Sequence, residues 1–166
     1  MKLLNVNLRG LTPFIVLVLL SCDRPLLPTE IPRDQNLIAL FSTHHEEFEK
    51  LRKMADEDGR TQYFIYAFDT KSRLARSHQQ EYDDLLPRIG PGIIVVRCDN
   101  GIIRFIIAKE GISIGPEREK GIVYIPGDYE KHGVIVHDLD DVSKFGCRTH
   151  LRKLEPNWFL FYQDYD

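Results

Sequence analysis

Residues 93–108 read Ile-Ile-Val-Val-Arg-Cys-Asp-Asn-Gly-Ile-Ile-Arg-Phe-Ile-Ile-Ala, two apolar runs separated by a polar Asp-Asn-Gly. Asn-Gly between apolar runs is the strongest short-range signal for a β-hairpin, because both residues readily adopt the positive φ that a tight turn needs. We therefore predict two antiparallel strands, Ile93–Cys98 and Ile102–Ala108, joined by a turn at Asp99-Asn100-Gly101.

Further strands are expected on the C-terminal side of this hairpin. Short apolar runs bounded by Gly, Pro, Asn or Asp are typical of strands. Four such runs are residues 121–125, 134–136, 150–154 and 158–162. The last two flank Glu155-Pro156-Asn157 and predict a closing hairpin, while a helical turn is expected over Leu139–Val142.

On the N-terminal side the pattern changes from strand to helix. Apolar or aromatic positions follow one another at spacings of three and four, as on one face of a helix: Leu37, Phe41, His44, Phe48, Leu51 and Ala55. We expect one helix that Asp34 caps and Gly59 ends.

A second strand and helix follow this first helix. Gln62–Phe68 is aromatic and apolar throughout, as in a strand covered on both faces. Ser77 and Gln80 form a capping box for a short helix to Leu86, which Pro87 ends. The fold class is therefore α+β, with N-terminal helices packed on a mainly antiparallel β-sheet.

The first 21 residues have the features of an export signal. Lys2 and Arg9 precede a ten-residue apolar run, Leu11–Leu20, and no acidic residue occurs before Asp23. Because a bilayer core needs about 20 apolar residues in a helix, the run is too short for a transmembrane anchor. We assign residues 1–21 to a signal peptide and exclude them from the fold.

The sequence Leu19-Leu20-Ser21-Cys22 resembles the lipobox of bacterial lipoproteins, with Leu20 at a position where a small residue is more usual. The resemblance implies cleavage before Cys22 and anchoring of the protein in the bilayer by acyl chains on this cysteine. The alternative is an ordinary secretory signal followed by a chance cysteine. Asp23 resembles the retention signal of inner-membrane lipoproteins. If this signal applies, we expect the anchor in the inner membrane, and if it does not, in the outer membrane. In both cases the protein faces the periplasm.

A proline-rich tether and a single domain follow. Residues 22–33 carry Pro25, Pro28 and Pro32, and residues 34–166 form one globular α+β domain. Removal of Lys2 and Arg9 leaves 20 basic residues against 25 acidic ones, a net charge of −5. The sequence also has no basic stripe, so nucleic acid is not expected as a partner.

Two cysteines remain after Cys22. Cys98 and Cys147 are an even pair in an oxidising compartment, which favours a disulfide, but two separate buried thiols are the alternative. Sequence does not provide the distance between their Cα atoms, so both interpretations stay open.

One catalytic motif has to be weighed. Gly111-Ile112-Ser113-Ile114-Gly115 matches the nucleophile elbow of serine esterases, and Asp138 and His150 follow in the appropriate chain order. The elbow requires a helix directly after the serine, whereas residues 116–121 leave no room for one. A glycine-bounded loop is therefore the preferred interpretation, and no catalytic residue is assigned.

No metal or cofactor is expected either. The run His44-His45-Glu46-Glu47 lacks the second histidine of a zinc helix. Asp138, Asp140 and Asp141 could gather a cation, but the glycine and glutamate of an EF-hand are missing, and helix capping by one of them is the alternative.

A family resemblance covers the C-terminal half and touches the 77–86 helix. It rests on Gly121-Ile-Val-Tyr-Ile-Pro126, Gly133-Val-Ile-Val136, Leu139-Asp140, Glu155-Pro-Asn-Trp158 and Phe161-Tyr162. These motifs resemble a family of small proteobacterial lipoproteins without an established activity, so the resemblance implies a fold and no functional residues.

Together these features indicate a lipid-anchored, non-catalytic module that binds a protein partner, and our specific hypothesis is an immunity protein against an envelope-acting toxin. An assembly or housekeeping lipoprotein of the envelope is the first alternative, and an esterase using Ser113 is the second. Exposed tyrosines would mark a binding patch, and Tyr124 and Tyr129 are the candidates for this role.

Overall fold

The structure, a computed structural model, describes residues 30–58, 63–66, 78–110, 117–141 and 148–165. Its elements in chain order are α1 (Asp34–Thr43), α2 (His45–Glu57), β1 (Tyr63–Tyr66), α3 (Gln79–Ile89), β2 (Ile94–Arg97), β3 (Ile103–Glu110), β4 (Arg118–Tyr124), β5 (Val134–Ile135), β6 (His150–Glu155) and β7 (Trp158–Asp164). Short 3₁₀ turns lie at Asp99–Gly101 and Tyr129–Lys131.

The strands form one seven-stranded sheet with the order β1-β2-β3-β4-β7-β6-β5. Every neighbouring pair is antiparallel except β5 and β6, which are parallel. The α+β prediction is therefore confirmed, with helices and a mostly antiparallel sheet.

The predicted hairpin at the centre of the sheet is confirmed. β2 pairs with β3, and the Cys98 N–H donates to the Ile102 carbonyl at 2.8 Å across the turn. Asn100 and Gly101 have φ values of 64° and 74°, the left-handed conformation for which the sequence supplied the two most suitable residues. The closing hairpin of β6 and β7 is confirmed in the same way.

The two faces of the sheet carry separate apolar clusters because successive strand residues point to opposite sides. On the first face, Phe105, Ile122, Trp158 and Leu160 pack with buried residues of all three helices. On the second face, a smaller cluster contains no helical residue among those described: Ile94, Ile106, Val123, Ile125, Leu151, Phe159 and Phe161. The three described helices therefore cover the first face of the sheet.

A β-bulge interrupts the pairing of β3 with β4. The register shifts between Ile106 and Ala108, and Gly121 of β4 lies opposite Ile106. A Cβ atom on Gly121 would lie 2.0 Å from the Phe105 carbonyl oxygen, so the two strands can approach this closely only at a glycine.

The prediction of one continuous first helix is wrong. His44, with φ −117° and ψ 28°, is not helical and separates α1 from α2. Tertiary packing accommodates the break, because Phe41 before it and Phe48 after it both contact the ring of Trp158, at centroid distances of 5.2 and 6.3 Å. The helical spacing nevertheless identified most buried positions of both helices, but it missed Asp34 and Met54, and it included His44, which is half-buried.

Other boundaries also differ from the predictions. Pro87 lies inside α3 instead of ending it, and the helix continues until Ile89, whose side chain is buried in the core. Of the helical turn predicted over Leu139–Val142, Leu139 and Asp140 form bends and Asp141 has no regular structure, while Val142 lies outside the described residues. The strand predicted over Gln62–Phe68 is described only as Tyr63–Tyr66, and Gly59 and Ser77 lie outside the described residues.

Candidate interaction surface

Several predicted site residues lie outside the part of the chain that the structure describes. These are Cys22, Ser113 with its flanking glycines, and Cys147. Cys98 is described; it is half-buried and directly follows β2. The lipid anchor, the disulfide and the esterase alternative therefore stay predictions.

Asp34 does not cap α1 as predicted, but is buried at the centre of an ionic network. Its side chain is only 2% exposed, and its Oδ1 lies 2.8 Å from the Lys120 Nζ. Its Oδ2 contacts the Arg152 Nη1 at 2.6 Å and accepts the Leu139 N–H at 2.9 Å. The carboxylate thus connects α1 to β4, β6 and the 139–141 segment.

Asp140 completes this network and provides the cap that Asp34 was expected to supply. Its Oδ1 accepts the backbone N–H of Asp34, the first residue of α1, at 2.7 Å, and lies 2.8 Å from the Lys120 Nζ. The capping alternative for the aspartates is therefore confirmed for Asp140, although the capped helix begins 106 residues earlier in the chain.

The environment of Asp34 favours its ionised form. Burial alone would raise its pKa, but hydrogen bonds from Lys120, the Leu139 N–H and Arg152 outweigh this and hold the pKa below its ordinary value. Since the folded-state pKa is the lower one, this stabilisation is present above the ordinary carboxyl pKa of about 3.9 and is lost as the pH falls through the folded-state value.

Two of the three aspartates that the sequence suggested as a cation cluster, Asp138 and Asp140, lie beside Asp34, whereas Asp141 is not part of this group. Oxygen atoms of Asp34, Asp138 and Asp140 lie within 4.8 Å of one another. The ammonium group of Lys120 contacts two of these residues at 2.8 Å. A metal ion would have to displace this buried ammonium group, so the cluster is explained as an internal salt bridge.

The structure describes Asp138 and His150, the acidic residue and the histidine of the esterase alternative. Asp138 is exposed and accepts the Asp140 N–H at 2.8 Å. His150 is buried on β6, opposite Tyr162 of β7.

The two tyrosines predicted as binding anchors are packed and only half-buried. Tyr124 contacts Trp158 at a centroid distance of 5.3 Å and carries the Arg52 guanidinium over its ring. Tyr129 packs against Phe159 on the second face of the sheet. Each ring is therefore partly covered by its own domain, and the hypothesis that either tyrosine anchors a partner stays a prediction.

The exposed apolar side chains lie elsewhere. Among the described residues, the large hydrophobic side chains that are exposed are Val134 at 42%, Ile135 at 44% and Tyr165 at 44%. Val134 and Ile135 together form strand β5, at the edge of the sheet. The sequence predicted this strand but not its exposure, because strand periodicity does not indicate which strand has a single neighbour.

The backbone of β5 is bonded on one side. The N–H groups of Val134 and Val136 donate to the carbonyls of Thr149 and Leu151 at 3.0 and 2.8 Å. Because alternate residues of a parallel strand bond to the same neighbour, the N–H and C=O of Ile135 point away from β6. An edge strand with such groups is a template for pairing with another chain.

The chain around β5 is acidic. Residues 128–141 contain five acidic residues and one lysine, Lys131. Lys131 pairs with Asp128 at 3.1 Å, and Asp140 pairs with Lys120 inside the domain. Glu130 and Asp138 are also exposed. This part of the surface therefore combines an exposed apolar pair with negative charge, and we refer to residues 128–141 as the β5 surface.

No protein-family model matches the chain, and neither curated proteins nor solved structures gave a significant match. The resemblance to small proteobacterial lipoproteins therefore stays a prediction. None of the described helices is both long enough and apolar enough to span a membrane.

Proposed function

We propose that the protein is a lipid-anchored, non-catalytic module of the bacterial envelope that captures a protein partner through the β5 surface. The observation that carries this proposal is the pair Val134 and Ile135, exposed on an edge strand whose outer backbone groups face away from the sheet. At such an edge, main-chain hydrogen bonds to an added strand supply affinity, and contacts with its alternate side chains supply specificity.

The charge of the β5 surface defines the chemistry of the partner. The negative charge of the β5 surface, on which Glu130 and Asp138 are exposed, favours a partner that presents an extended segment with basic side chains. If the protein is an immunity protein in the periplasm, this partner is the toxin that it occludes. An assembly factor of the envelope is the alternative, and the identity of the captured protein distinguishes the two.

Changing Ile135 to lysine tests this surface. The added charge lies on the edge strand, where lysine prevents strand addition, and it repels a basic partner. We expect Ile135→Lys to weaken partner binding by about tenfold or more, with little loss of fold stability because the side chain is exposed. The measurement is a titration of the processed protein against the partner purified after capture from envelope extract.

Ala39→Lys is the matched control, since Ala39 is exposed on α1 and receives the same charge. Binding should be unchanged in this variant and should weaken in wild type as the ionic strength rises. Equal binding by both lysine variants would show that the partner does not use the β5 surface.

Changing Cys22 to alanine tests the anchor. If Cys22 carries the acyl chains, Cys22→Ala abolishes metabolic labelling with a fatty acid and leaves unprocessed or soluble protein. Cys98→Ala is the control and should be labelled like wild type. Normal labelling of Cys22→Ala would contradict the lipoprotein assignment.

A further inference from the structure

A cavity of about 170 Å³ lies on the second face of the sheet, the face opposite the helices. Residues from β3, β4, β6 and β7 line it, together with His132 after the second 3₁₀ turn. It adjoins the β5 surface, because Thr149 and Leu151 line the cavity and also accept the backbone hydrogen bonds of β5.

The floor of the cavity is apolar. It is formed by Val123, Ile125, Leu151 and Phe161, which are all nearly inaccessible to water. The cavity is open to solvent on one side, and its volume of about 170 Å³ matches the size of one aromatic ring, since an apolar cavity of about 150 Å³ holds a benzene molecule.

The rim of the cavity is polar, and its arginine, Arg104, is already paired with a carboxylate. The Arg104 guanidinium lies 4.2 Å above the Phe161 ring, pairs with the Glu119 carboxylate at 3.2 Å and donates to the Tyr165 hydroxyl at 3.1 Å. An anionic ligand would have to compete with Glu119 for this guanidinium. The site therefore favours a neutral ligand.

The remaining rim groups can form hydrogen bonds with such a ligand. The Thr149 hydroxyl donates to the Gln163 side-chain carbonyl, which leaves the Gln163 amide nitrogen as a donor at the rim. The His132 ring also lines the opening. The Arg104 guanidinium, which lies over the Phe161 ring, can also attract the face of an aromatic ring in the ligand.

We infer that this cavity is a binding site for a compact, neutral aromatic group that carries one hydrogen-bonding substituent, with a phenol as the simplest example. The ring occupies the apolar floor, and the hydroxyl group meets Gln163 at the rim. The same chemistry is available from a free small phenol or from a tyrosine side chain on another protein. This inference does not depend on the partner proposed for the β5 surface.

The test is a titration of the processed protein with p-cresol and, in parallel, with N-acetyltyrosinamide, followed by NMR shifts of backbone amides. We expect saturable shifts at Val123, Leu151 and Gln163. Binding of p-cresol alone identifies a free small molecule as the ligand class, whereas binding of N-acetyltyrosinamide with equal or higher affinity identifies a side chain. The absence of saturable shifts with both probes overturns the inference.

Two variants separate the floor from the rim. Val123→Phe fills the cavity and should abolish binding of both probes. Gln163→Leu keeps the volume but removes the hydrogen bond, so it should weaken p-cresol binding about three- to tenfold and leave toluene binding unchanged. Gln80→Leu, the same substitution at an exposed position of α3, is the control. Unchanged p-cresol binding in Gln163→Leu would refute the proposed orientation, and Ile135→Lys should bind p-cresol like wild type.

Discussion

Replacing Lys120 with methionine is expected to lower the free energy of unfolding by about 3–5 kcal/mol, the usual cost of removing one partner from a buried ion pair. Lys120 is completely buried, and its Nζ lies 2.8 Å from both the Asp34 Oδ1 and the Asp140 Oδ1. In Lys120→Met, the buried carboxylate of Asp34 keeps Arg152 and the Leu139 N–H but loses the more deeply buried of its two compensating charges. Urea denaturation of the processed protein at neutral pH measures the effect.

Lys131→Met is the matched control, because it removes a lysine of the same type from an exposed pair. Lys131 and Asp128 are 76% and 53% exposed, so we expect a change of less than about 1 kcal/mol. A loss in Lys120→Met no larger than that in Lys131→Met would mean that the buried network does not stabilise the fold.

Changing Gly121 to alanine is the second substitution with a large expected effect, about 3 kcal/mol or more of lost stability. A Cβ atom at this position would lie 2.0 Å from the Phe105 carbonyl oxygen and 3.1 Å from the Ile107 backbone nitrogen. Both are backbone atoms of the neighbouring central strand, which cannot rotate away as a flexible side chain would. Strands β3 and β4 must therefore separate in Gly121→Ala. Overpacking of a side-chain core costs about 1–3 kcal/mol, and we expect a clash with backbone atoms to cost at least the upper end of this range.

The measurement is the same urea denaturation, with Gly90→Ala as the control. A Cβ atom on Gly90 would meet only the Ile93 Cδ1, at an ordinary contact distance of 3.8 Å, and the backbone there is extended. We expect Gly90→Ala to change stability by less than about 1 kcal/mol. If Gly121→Ala unfolds at the same urea concentration as Gly90→Ala, the close approach at the bulge is not present in solution.

The two proposed sites and the anchor place different demands on the chain. The β5 surface needs exposed apolar and acidic residues, whereas the cavity needs a packed floor on the second face of the sheet. Asp34 lies at the start of the domain, directly after the proposed tether. Its carboxylate contacts Lys120 on β4, Arg152 on β6 and the Leu139 N–H. These contacts therefore fix α1 to the sheet. In the proposed function, the tether of residues 22–33 connects α1 to the membrane.

The hairpin of β2 and β3, the closing hairpin of β6 and β7, and the apolar faces of the helices could all be predicted from the sequence. Each depends on information within a few residues. Asn100 and Gly101 suit the turn by their own conformational preferences, and the spacing of Phe41, Phe48 and Leu51 follows the period of a helix. Local chemistry was therefore sufficient for the type of nearly every element and for the α+β class.

The role of Asp34, the end of α3 and the exposure of β5 were decided only by the tertiary structure. Asp34 has the local features of a helix cap, but Lys120 and Arg152, which lie far away in sequence, draw its carboxylate into the interior. Burial of Ile89 carries α3 past Pro87, although proline locally favours an end. Val134 and Ile135 lie on a strand that, among the described strands, pairs only with β6, and the strand that forms the edge is a property of the assembled sheet. For Asp34 and for the end of α3, long-range ion pairing and burial outweigh the local preference, which is about 1 kcal/mol for a helix cap.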